Sequence, residues 1–347
     1  MNYTIIVPVY NRPDEVDELL DSLTRQAYDD MEQKPCFEVI VVEDGSTNKC
    51  DEVCAKYADK LDLHYYNKEN SGPGQSRNYG AERAKGEWLI ILDSDIILPP
   101  GYLKAVGQGI ADAGGSDKLG AFGGPDASHP QFNDMQKAVS YSMTSFFTTG
   151  GIRGGKAKLD KFYPRSYTMG IRKDVYESLG GFSKMRYGED IDFSYRIVES
   201  GNKTALFTDA YVYHKRRTDL RAFFRQVEHS GAARIVLEKL HPGTMKPVHM
   251  LPAVFTLGVF SMILISAVGR ILMQYDTSAG SLQASEAKWF WLCATPWLPL
   301  LLYAFMVCID SAIRNKSVKV GLLSIATSYT QLMGYGWGFL CEKLRKK

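Results

Sequence analysis

Apolar, strand-like segments alternate with amphipathic helices through residues 1–215, and this alternation limits the folds open to the chain. Residues 3–10 (YTIIVPVY) and 37–44 (FEVIVVED) are short β-branched runs that end in polar residues, as buried parallel strands do. Residues 14–26, which lie between them, space their apolar side chains as one helical stripe. The rhythm predicts an α/β fold with a doubly wound, Rossmann-like sheet and right-handed crossovers.

The same rhythm continues along the chain. Further helices and strands are predicted, in alternation, over 47–60, 61–67, 74–85 and 88–93. Residues 115–165 are rich in Gly and Ser, which predicts irregular structure near a substrate. Because doubly wound sheets bind ligands at the carboxyl ends of their strands, the polar residues that follow each strand are the candidate site.

Two carboxylates interrupt the apolar run WLIILDSDIILP (88–99), at Asp93 and Asp95. An unpaired buried charge is costly, so these residues should end the strand rather than lie within it. Side chains two apart in an extended segment share a face, and both carboxylates can then point into one pocket. Oxygen ligands of this kind suit Mg²⁺ or Mn²⁺, which also take phosphate oxygens. A polar turn in which one of the two acids is a cap is the alternative.

Composition changes after about residue 250. The segments 251–269 and 289–309 are apolar, uncharged and long enough to cross a bilayer, which predicts spans over about 251–272 and 289–309. A third uncharged segment, 320–340, is more polar. We expect it to lie in the interface or to re-enter the membrane, with a third full span as the alternative.

The basic residues of the loops indicate the orientation in the membrane. The loop 273–288 has Lys288 as its only basic residue, whereas 310–319 carries Arg314, Lys316 and Lys319. The positive-inside tendency therefore places the amino-terminal part and the loop 310–319 in the cytosol, at the cytoplasmic membrane. The amino-terminal residues lack a basic region, and we expect no signal peptide.

These observations divide the chain into three regions. Residues 1–215 form the α/β domain, and 249–347 the membrane region. Residues 216–248 connect them, and the amphipathic pattern within 219–240 predicts a helix that rests on the membrane surface. A net charge of +2 argues against nucleic acid as the main partner. The six cysteines include no Cys-x-x-Cys pair, so reduced packing residues are expected.

Four motifs, taken together in their order and spacing, resemble those of a known protein family. They are VPVYNR (7–12), VVEDGST (41–47), NSGPGQSRNYGAERAKGEWLIILDSD (70–95) and GGFSKMRYGEDIDFSYRI (180–197). Together they resemble family 2 glycosyltransferases of the GT-A fold, over roughly residues 3–215. The resemblance implies a nucleotide-sugar-binding domain, here followed by carboxy-terminal membrane helices.

The resemblance also implies roles for individual residues. Asp44 takes the position of the family's nucleobase-binding aspartate, and its carboxylate can accept the uracil N3–H of a UDP-sugar. Glu43 stands where an aspartate is common. The implied donor-binding residues are Pro8, Tyr10, Asp44, Gly72, Arg77, Asp93 and Ser94. The implied ligands of Mg²⁺ or Mn²⁺ are Asp93, Asp95 and His214.

The segment GED within the last motif supplies the candidate general base. In the family, the position of Asp190 takes the proton from the acceptor hydroxyl, and Glu189 and Asp192 are its expected orienting or acceptor-binding neighbours. A helix N-cap is the alternative for these acids, and the two roles can coexist. The implied reaction is an inverting single displacement.

The expected function is transfer of one sugar from a UDP-sugar to a lipid or lipid-linked acceptor at the cytosolic face. Processive relatives carry a Gln-x-x-Arg-Trp motif, which is missing after Gln226, so a polysaccharide synthase is the weaker alternative. The two remaining candidate functions are a non-catalytic membrane scaffold and a nucleotidyltransferase. A set of basic residues could steady the diphosphate or lipid phosphate, or simply lie at a membrane surface: Arg216, Arg217, Arg221 and Arg225.

Overall fold

The computed structural model describes residues 2–278 and 291–345, apart from 29–33, 128, 130, 150–161 and 292. The chain divides into two compact units. The first consists of Met1–Gln131 and Lys156–Lys215, and the second of Phe132–Gly155 and Arg216–Lys347. The sequence predicts that residues 132–149 belong to the first domain, but in the structure they pack within the second unit.

The strands all lie in the first unit. They are β1 Asn2–Val9, β2 Cys36–Asp44, β3 Leu63–Lys68, β4 Trp88–Leu92, β5 Ile96–Ile97, β6 Ala121–Gly123, β7 Asp126–Ala127, β8 Thr168–Arg172, β9 Thr204–Leu206 and β10 Val212–His214.

The helices are distributed over both units. Those of the first unit are α1 Pro13–Thr24, α2 Asp51–Ala55, α3 Pro73–Ala81, α4 Tyr102–Asp112, α7 Lys173–Ser178 and α8 Glu189–Glu199. Those of the second are α5 Asp134–Thr144, α6 Phe146–Thr149, α9 Leu220–Leu240, α10 Leu251–Ser278, α11 Leu298–Asn315 and α12 Val318–Leu344. Short 3₁₀ helices occur at Ser116–Lys118, Pro247–His249 and Thr295–Trp297.

A seven-stranded sheet with the order β3-β2-β1-β4-β8-β6-β9 forms the centre of the first unit. The strands β1 to β4 are mutually parallel, as the alternation of strands and helices predicts. Beyond them β8 runs antiparallel to both β4 and β6, so the sheet is mixed. The buried apolar residues of the strands face helices on both sides, and the α/β class predicted from the sequence is confirmed.

Two predicted elements differ from the structure. The helix predicted over 47–60 shrinks to Asp51–Ala55, because the N–H groups of Thr47 and Asn48 donate to the Asn11 side chain and that of Cys50 donates to Glu43. A backbone donor bound by a distant side chain is not available to a helical turn.

The region 115–165 is also more regular than predicted. It contains β6, β7, α5 and α6, while 150–161 lies outside the described residues. Helix α5 begins with a capping box in which Asn133 accepts from the Gln136 N–H at 2.9 Å and Gln136 accepts from the Asn133 N–H at 3.1 Å. The capping box is recognisable in the sequence as Asn-x-x-Gln. The prediction of irregular structure followed the abundance of Gly and Ser around it instead.

Helix α12 organises the second unit, where it packs against α5, α9, α10 and α11. The polar residues that set the segment 320–340 apart are buried between these helices. Ser324 and Ser311 share a hydrogen bond of 2.6 Å, and the Thr327 hydroxyl donates to the Ala138 carbonyl at 2.9 Å. The segment is part of one continuous helix, Val318–Leu344.

Helix α9 also has protein on its apolar side. Phe223 is fully buried and Val227 nearly so, and both cluster with Val139 and Met143. Some of the apolar side chains that predict a helix on the membrane surface therefore pack against protein inside the second unit.

Close helix packing in this unit depends on glycine. A Cβ at Gly338 would lie 2.0 Å from the Glu228 carbonyl oxygen, whereas a Cβ at Gly258 would meet nothing within 4 Å. Gly338→Ala should therefore destabilise the unit by about 1–3 kcal/mol through overpacking. Gly258→Ala, the matched control in a helix, should be neutral or stabilising by up to about 1 kcal/mol. Thermal unfolding in detergent measures both, and equal effects would contradict the packing explanation.

Candidate active site

The carboxyl ends of β1, β2 and β4 meet at one edge of the sheet because these strands are parallel. Asn11 and Arg12 follow β1, Asp44 ends β2, and Asp93 and Asp95 follow β4. Residues from distant parts of the sequence therefore lie together at the edge where α/β sheets bind ligands.

Asp95 is held between two basic side chains. Because β5 pairs with β10, His214 is placed opposite Ile96. The His214 Nε2 lies 3.1 Å from Asp95 Oδ1, and the Arg12 guanidinium donates to Asp95 Oδ2 at 2.6 Å. Burial opposes ionisation of Asp95, but His214 and Arg12 outweigh it and hold the pKa of this carboxyl well below its usual range.

Asp93, Asp95 and His214 form a possible metal site. One potential ligand atom of each residue lies within 4.8 Å of the others. Oxygen and imidazole donors of this type suit Mn²⁺ and related divalent ions. The residues also fit such an ion because the buried His214 Nδ1 has no hydrogen-bond partner among the described residues, and Nε2 lies 3.1 Å from Asp95 Oδ1, where a cation could be shared. The structure thus brings together the three side chains that the sequence predicts as ligands.

Arg77 connects this cluster to the GED segment. Its guanidinium donates to Asp93 at 2.9 Å and to Glu189 at 2.8 Å, and its side chain is 5% exposed. Burial disfavours the charged guanidinium, but Asp93 and Glu189 outweigh it and raise the Arg77 pKa. The resemblance predicts that Arg77 approaches the diphosphate or ribose of the donor. In the structure its guanidinium pairs with the two acids.

The first turn of α8 carries the three acids predicted as base candidates. Glu189 is mostly buried, and burial raises its pKa although Arg77 opposes the shift. The Asp190 side chain is 25% exposed, and its nearest ion-pair partner in the described chain is Arg165, at 3.6 Å. Asp190 is thus the most accessible acid of the three.

Asp192 occupies a different environment from its neighbours. Its carboxylate is 7% exposed and accepts from Arg196 at 2.9 Å. Arg196 also donates to the carbonyls of Leu179 and Gly181, at 2.8 and 2.7 Å. Through Arg196, Asp192 is therefore connected to the glycine turn that precedes the GED segment.

Asp44 binds the loop that follows β3. Its carboxylate accepts the N–H groups of Ser71 and Gly72 at 2.9 Å each, and Lys68 is a further partner. Burial opposes ionisation, but these donors lower the pKa of Asp44 overall. Gly72 has a φ of +90°, which only glycine adopts without strain, and its N–H can then turn toward Asp44.

Three other predicted donor-binding residues differ in exposure. Tyr10 is 53% exposed just beyond the end of β1, where a ligand can contact its ring. Pro8 is buried within β1 opposite Val42, and Ser94 is buried between the two metal-site acids. Of the two residues predicted to line the base pocket, Pro8 is therefore buried and Tyr10 is exposed.

The structure also shows positioning residues that the sequence analysis missed. Glu43 is fully buried and accepts from the Cys50 N–H at 2.8 Å, from its thiol at 2.9 Å and from the Ser46 hydroxyl. Asn11, at a φ of +54°, accepts from the N–H groups of Thr47 and Asn48, which follow Ser46 in the loop after β2. These contacts fix the loop that begins at Asp44. The sequence signal that could have indicated a special role for Glu43 is that it stands where an aspartate is common in the family.

A further missed residue is Asn78 on α3. Its side chain accepts from the Phe182 N–H at 2.8 Å and donates to the Phe182 carbonyl at 2.9 Å. The Tyr176 hydroxyl donates to the same side chain at 2.6 Å. The turn before the GED segment is thereby attached to the helix that carries Arg77. No local pattern distinguishes such an asparagine from an ordinary exposed one.

The family model for glycosyl transferase family 2 matches residues 4–179 of the chain. The matched region contains β1 to β4, the carboxylates at their ends and the loop after β3. The chain belongs to glycosyltransferase family 2. The resemblance deduced from the motifs is confirmed, and the mixed α/β sheet is the GT-A architecture that it implies.

Individual relatives match over shorter regions. The chain is 39% identical over 106 residues to the poly(ribitol-phosphate) β-N-acetylglucosaminyltransferase TarS of Staphylococcus aureus, which covers 30% of this chain and 18% of that protein. It is 30% identical over 202 residues to an uncharacterized glycosyltransferase of Haemophilus influenzae, covering 58% of this chain and 63% of the relative. The chain thus spans less than two thirds of either relative.

Several solved structures resemble the chain over most of its length. One of them is the mannosyltransferase PcManGT of Pyrobaculum calidifontis in complex with GDP-Man and Mn²⁺, which is 20% identical. The alignment covers 95% of this chain and 86% of that one, with a TM-score of 0.49.

Proposed function

We propose that the chain is a membrane-anchored glycosyltransferase that moves a single sugar from a nucleotide-diphosphate donor to a lipid or lipid-linked acceptor. The observation that carries the proposal is the linked cluster at the carboxyl edge of the sheet. Asp93 and Asp95 lie beside His214, and Arg77 joins Asp93 to the segment that carries Asp190. The proposed metal ligands and the segment with the proposed base are thus connected by ion pairs through Arg77.

The donor would bind along the ends of β1 and β2. Tyr10 presents an exposed ring for the base, and Asp44 holds the loop after β3 at the same strand ends through the N–H groups of Ser71 and Gly72. A UDP-sugar is the donor that the resemblance implies. TarS, by its name, transfers N-acetylglucosamine, which supports an amino sugar or related hexose as the transferred group.

Asp93, Asp95 and His214 would hold the divalent cation, Mg²⁺ or Mn²⁺. When bound, such an ion neutralises the diphosphate as a Lewis acid. The chain's own contribution is to keep these donors in place: Arg12 and Arg77 each orient one carboxylate while leaving its second oxygen for other contacts. His214 is fixed by the pairing of β10 with β5.

Asp95→Asn should weaken this site measurably. The loss of one anionic ligand should raise the Mn²⁺ concentration needed for donor binding by about 10–100-fold or more, the range found when residues that orient metal ligands are changed. Donor binding followed during a Mn²⁺ titration measures the shift, with Asp209→Asn on the exposed surface as the control. An unaltered titration midpoint would rule out the ligand role of Asp95.

Asp190 is the proposed general base. Its partly exposed carboxylate would take the proton of the acceptor hydroxyl, whose oxygen attacks the anomeric carbon from the face opposite the departing nucleoside diphosphate. This single displacement inverts the anomeric configuration. Glu189, paired with Arg77, positions the turn of α8 that carries Asp190.

The lipid acceptor is inferred from the second unit. Two helical segments, Pro247–Gln274 and Thr295–Asn315, are long and apolar enough to cross a membrane, and their most apolar stretches are only 11% buried. Large side chains such as Leu264 and Phe305 are more than 60% exposed on them. An apolar surface of this kind suits lipid, and a bilayer would bring the acceptor to the enzyme. The basic loop 310–319 supports a cytosolic orientation.

A donor screen with purified protein in detergent tests the proposal. Nucleotide sugars are supplied with Mn²⁺, with and without extracted lipid, and released nucleotide and products are analysed. We expect nucleoside diphosphate and one added sugar per lipid. A ladder of products would indicate a processive synthase, and pyrophosphate release a nucleotidyltransferase. Donor binding without any turnover would indicate a non-catalytic scaffold.

A further inference from the structure

A second cluster of acids and histidine lies at the opposite edge of the sheet, where the strands begin. Glu38 is on β2, and Asp62 and His64 are at the start of β3. The parallel register pairs Ile40 with His64. Because side chains two apart share a face, Glu38, Asp62 and His64 all project on the same face of the sheet.

The distances in this cluster match those around a tetrahedral ion. The His64 Nε2 lies 3.3 Å from Asp62 Oδ1 and 3.6 Å from Glu38 Oε2. Zinc binds nitrogen and oxygen ligands at about 2.0–2.2 Å, which separates two tetrahedral ligand atoms by about 3.3–3.6 Å. The two distances from His64 therefore match the spacing around a tetrahedral metal, and the oxygens of Glu38 and Asp62 lie within 4.8 Å of each other.

Glu38 has one oxygen fixed by the protein and the other turned toward the cluster. Its Oε1 accepts from the Thr4 hydroxyl and from the Lys85 N–H, at 2.6 Å each. Its Oε2 receives no hydrogen bond from any residue the structure describes. Because the side chain is only 6% exposed, this oxygen is also shielded from water. The His64 Nε2 is likewise buried without a hydrogen-bond partner in that part of the chain.

A buried carboxylate oxygen with no donor is costly unless a cation lies beside it. The Lys85 ammonium is 4.0 Å away on a side chain that is 76% exposed, too distant for a hydrogen bond. A protonated His64 could supply the charge, but neither carboxylate is placed to accept a hydrogen bond from its Nε2. A metal ion satisfies all three atoms at once.

We propose that Glu38, Asp62 and His64 form a binding site for a divalent transition-metal ion of the Zn²⁺ class, separate from the active site. The imidazole favours zinc over Mg²⁺ or Ca²⁺, and three protein ligands leave a fourth position for water. The site joins the edge strand β3 to its neighbour β2 and so stabilises the border of the sheet.

The test is a Zn²⁺ titration of the full chain in detergent, after metal removal, followed by calorimetry. The background variant is Asp95→Asn with His214→Gln, which removes the candidate ligands of the active site. We expect this variant to bind one Zn²⁺ saturably and to gain thermal stability from it. With Co²⁺ it should show the visible absorption of a tetrahedral complex.

Adding His64→Gln to that background should abolish the saturable binding, the Co²⁺ absorption and the thermal shift. Adding Asp62→Asn should weaken all three, and this residue is 65% exposed, so the core is unaffected. His249→Gln, in the second unit, is the matched control and should change nothing. Absence of a saturable site in the background variant, or its survival after His64→Gln, would overturn the proposal. Stability that depends on His64 and pH but not on Zn²⁺ would overturn it in favour of a protonated histidine.

Discussion

Asp190→Asn is expected to reduce sugar transfer by about 10²–10⁴-fold, the usual contribution of a positioned general base. The amide has nearly the same shape as the carboxylate and keeps its place in the first turn of α8, but it cannot take a proton. Donor affinity should stay close to that of the unaltered chain. Single-turnover transfer and donor binding, measured side by side, separate the two effects.

The matched control is Asp112→Asn, on the exposed end of α4. It makes the same chemical change away from the sheet edge and should leave transfer unchanged. If Asp190→Asn retains normal turnover, another group is the base, and Glu189 is then the first to examine because it lies on the same turn.

Arg77→Met is expected to destabilise the first unit by about 3–5 kcal/mol, the cost of leaving buried charges without their partner. Arg77 is 5% exposed and pairs with both Asp93 and Glu189. Methionine fills similar space without charge, so the two acids would face each other unneutralised. Transfer should also fall sharply, because Asp93 and the turn that carries Asp190 lose their common support.

The loss of stability expected for Arg77→Met should depend on pH. Burial already raises the pKa of Glu189, and without Arg77 it should rise further. A raised carboxyl pKa costs stability above the pKa of the unfolded chain, and protonation of the native group removes that cost as the pH falls. The defect of Arg77→Met should therefore shrink toward acidic pH, as followed by denaturant unfolding.

Two further variants make the prediction specific. Arg77→Met combined with Glu189→Gln should recover part of the lost stability, since one of the unpaired charges is gone. Arg25→Met removes an arginine whose side chain is 62% exposed and paired with Asp21, and should cost no more than about 1 kcal/mol. Equal losses for Arg77→Met and Arg25→Met would show that the buried pairing is unimportant.

Much of the fold was predictable because its signals are local. The β-branched runs that became β1 and β2, and the helical stripe between them, depend on periodicity within a few residues. One of the errors has a cause outside the segment concerned. Helix 47–60 shortened because Asn11 and Glu43, from other strand ends, bind its backbone donors.

The sequence predicted which residues belong to the candidate site, but not which of them pair with each other. Asp93, Asp95 and His214 could be named from motifs, and the structure brings them together. The pairing of Arg77 with Glu189 could not be predicted from the motifs, since those two residues are 112 positions apart. Their contact depends on how α3 and α8 pack on the sheet.

The amino-acid sequence by itself determined the strand and helix rhythm, the acids at the strand ends, the family and the apolar segments near the carboxyl end. Each follows from residue type and short-range spacing, which act before the chain is packed. Only the tertiary structure decided which charges neutralise one another, which side of α9 is covered, and that Glu38, Asp62 and His64 share one corner of the sheet. Those outcomes depend on strand register and helix packing, which join residues far apart in the chain and are fixed only when the whole core forms.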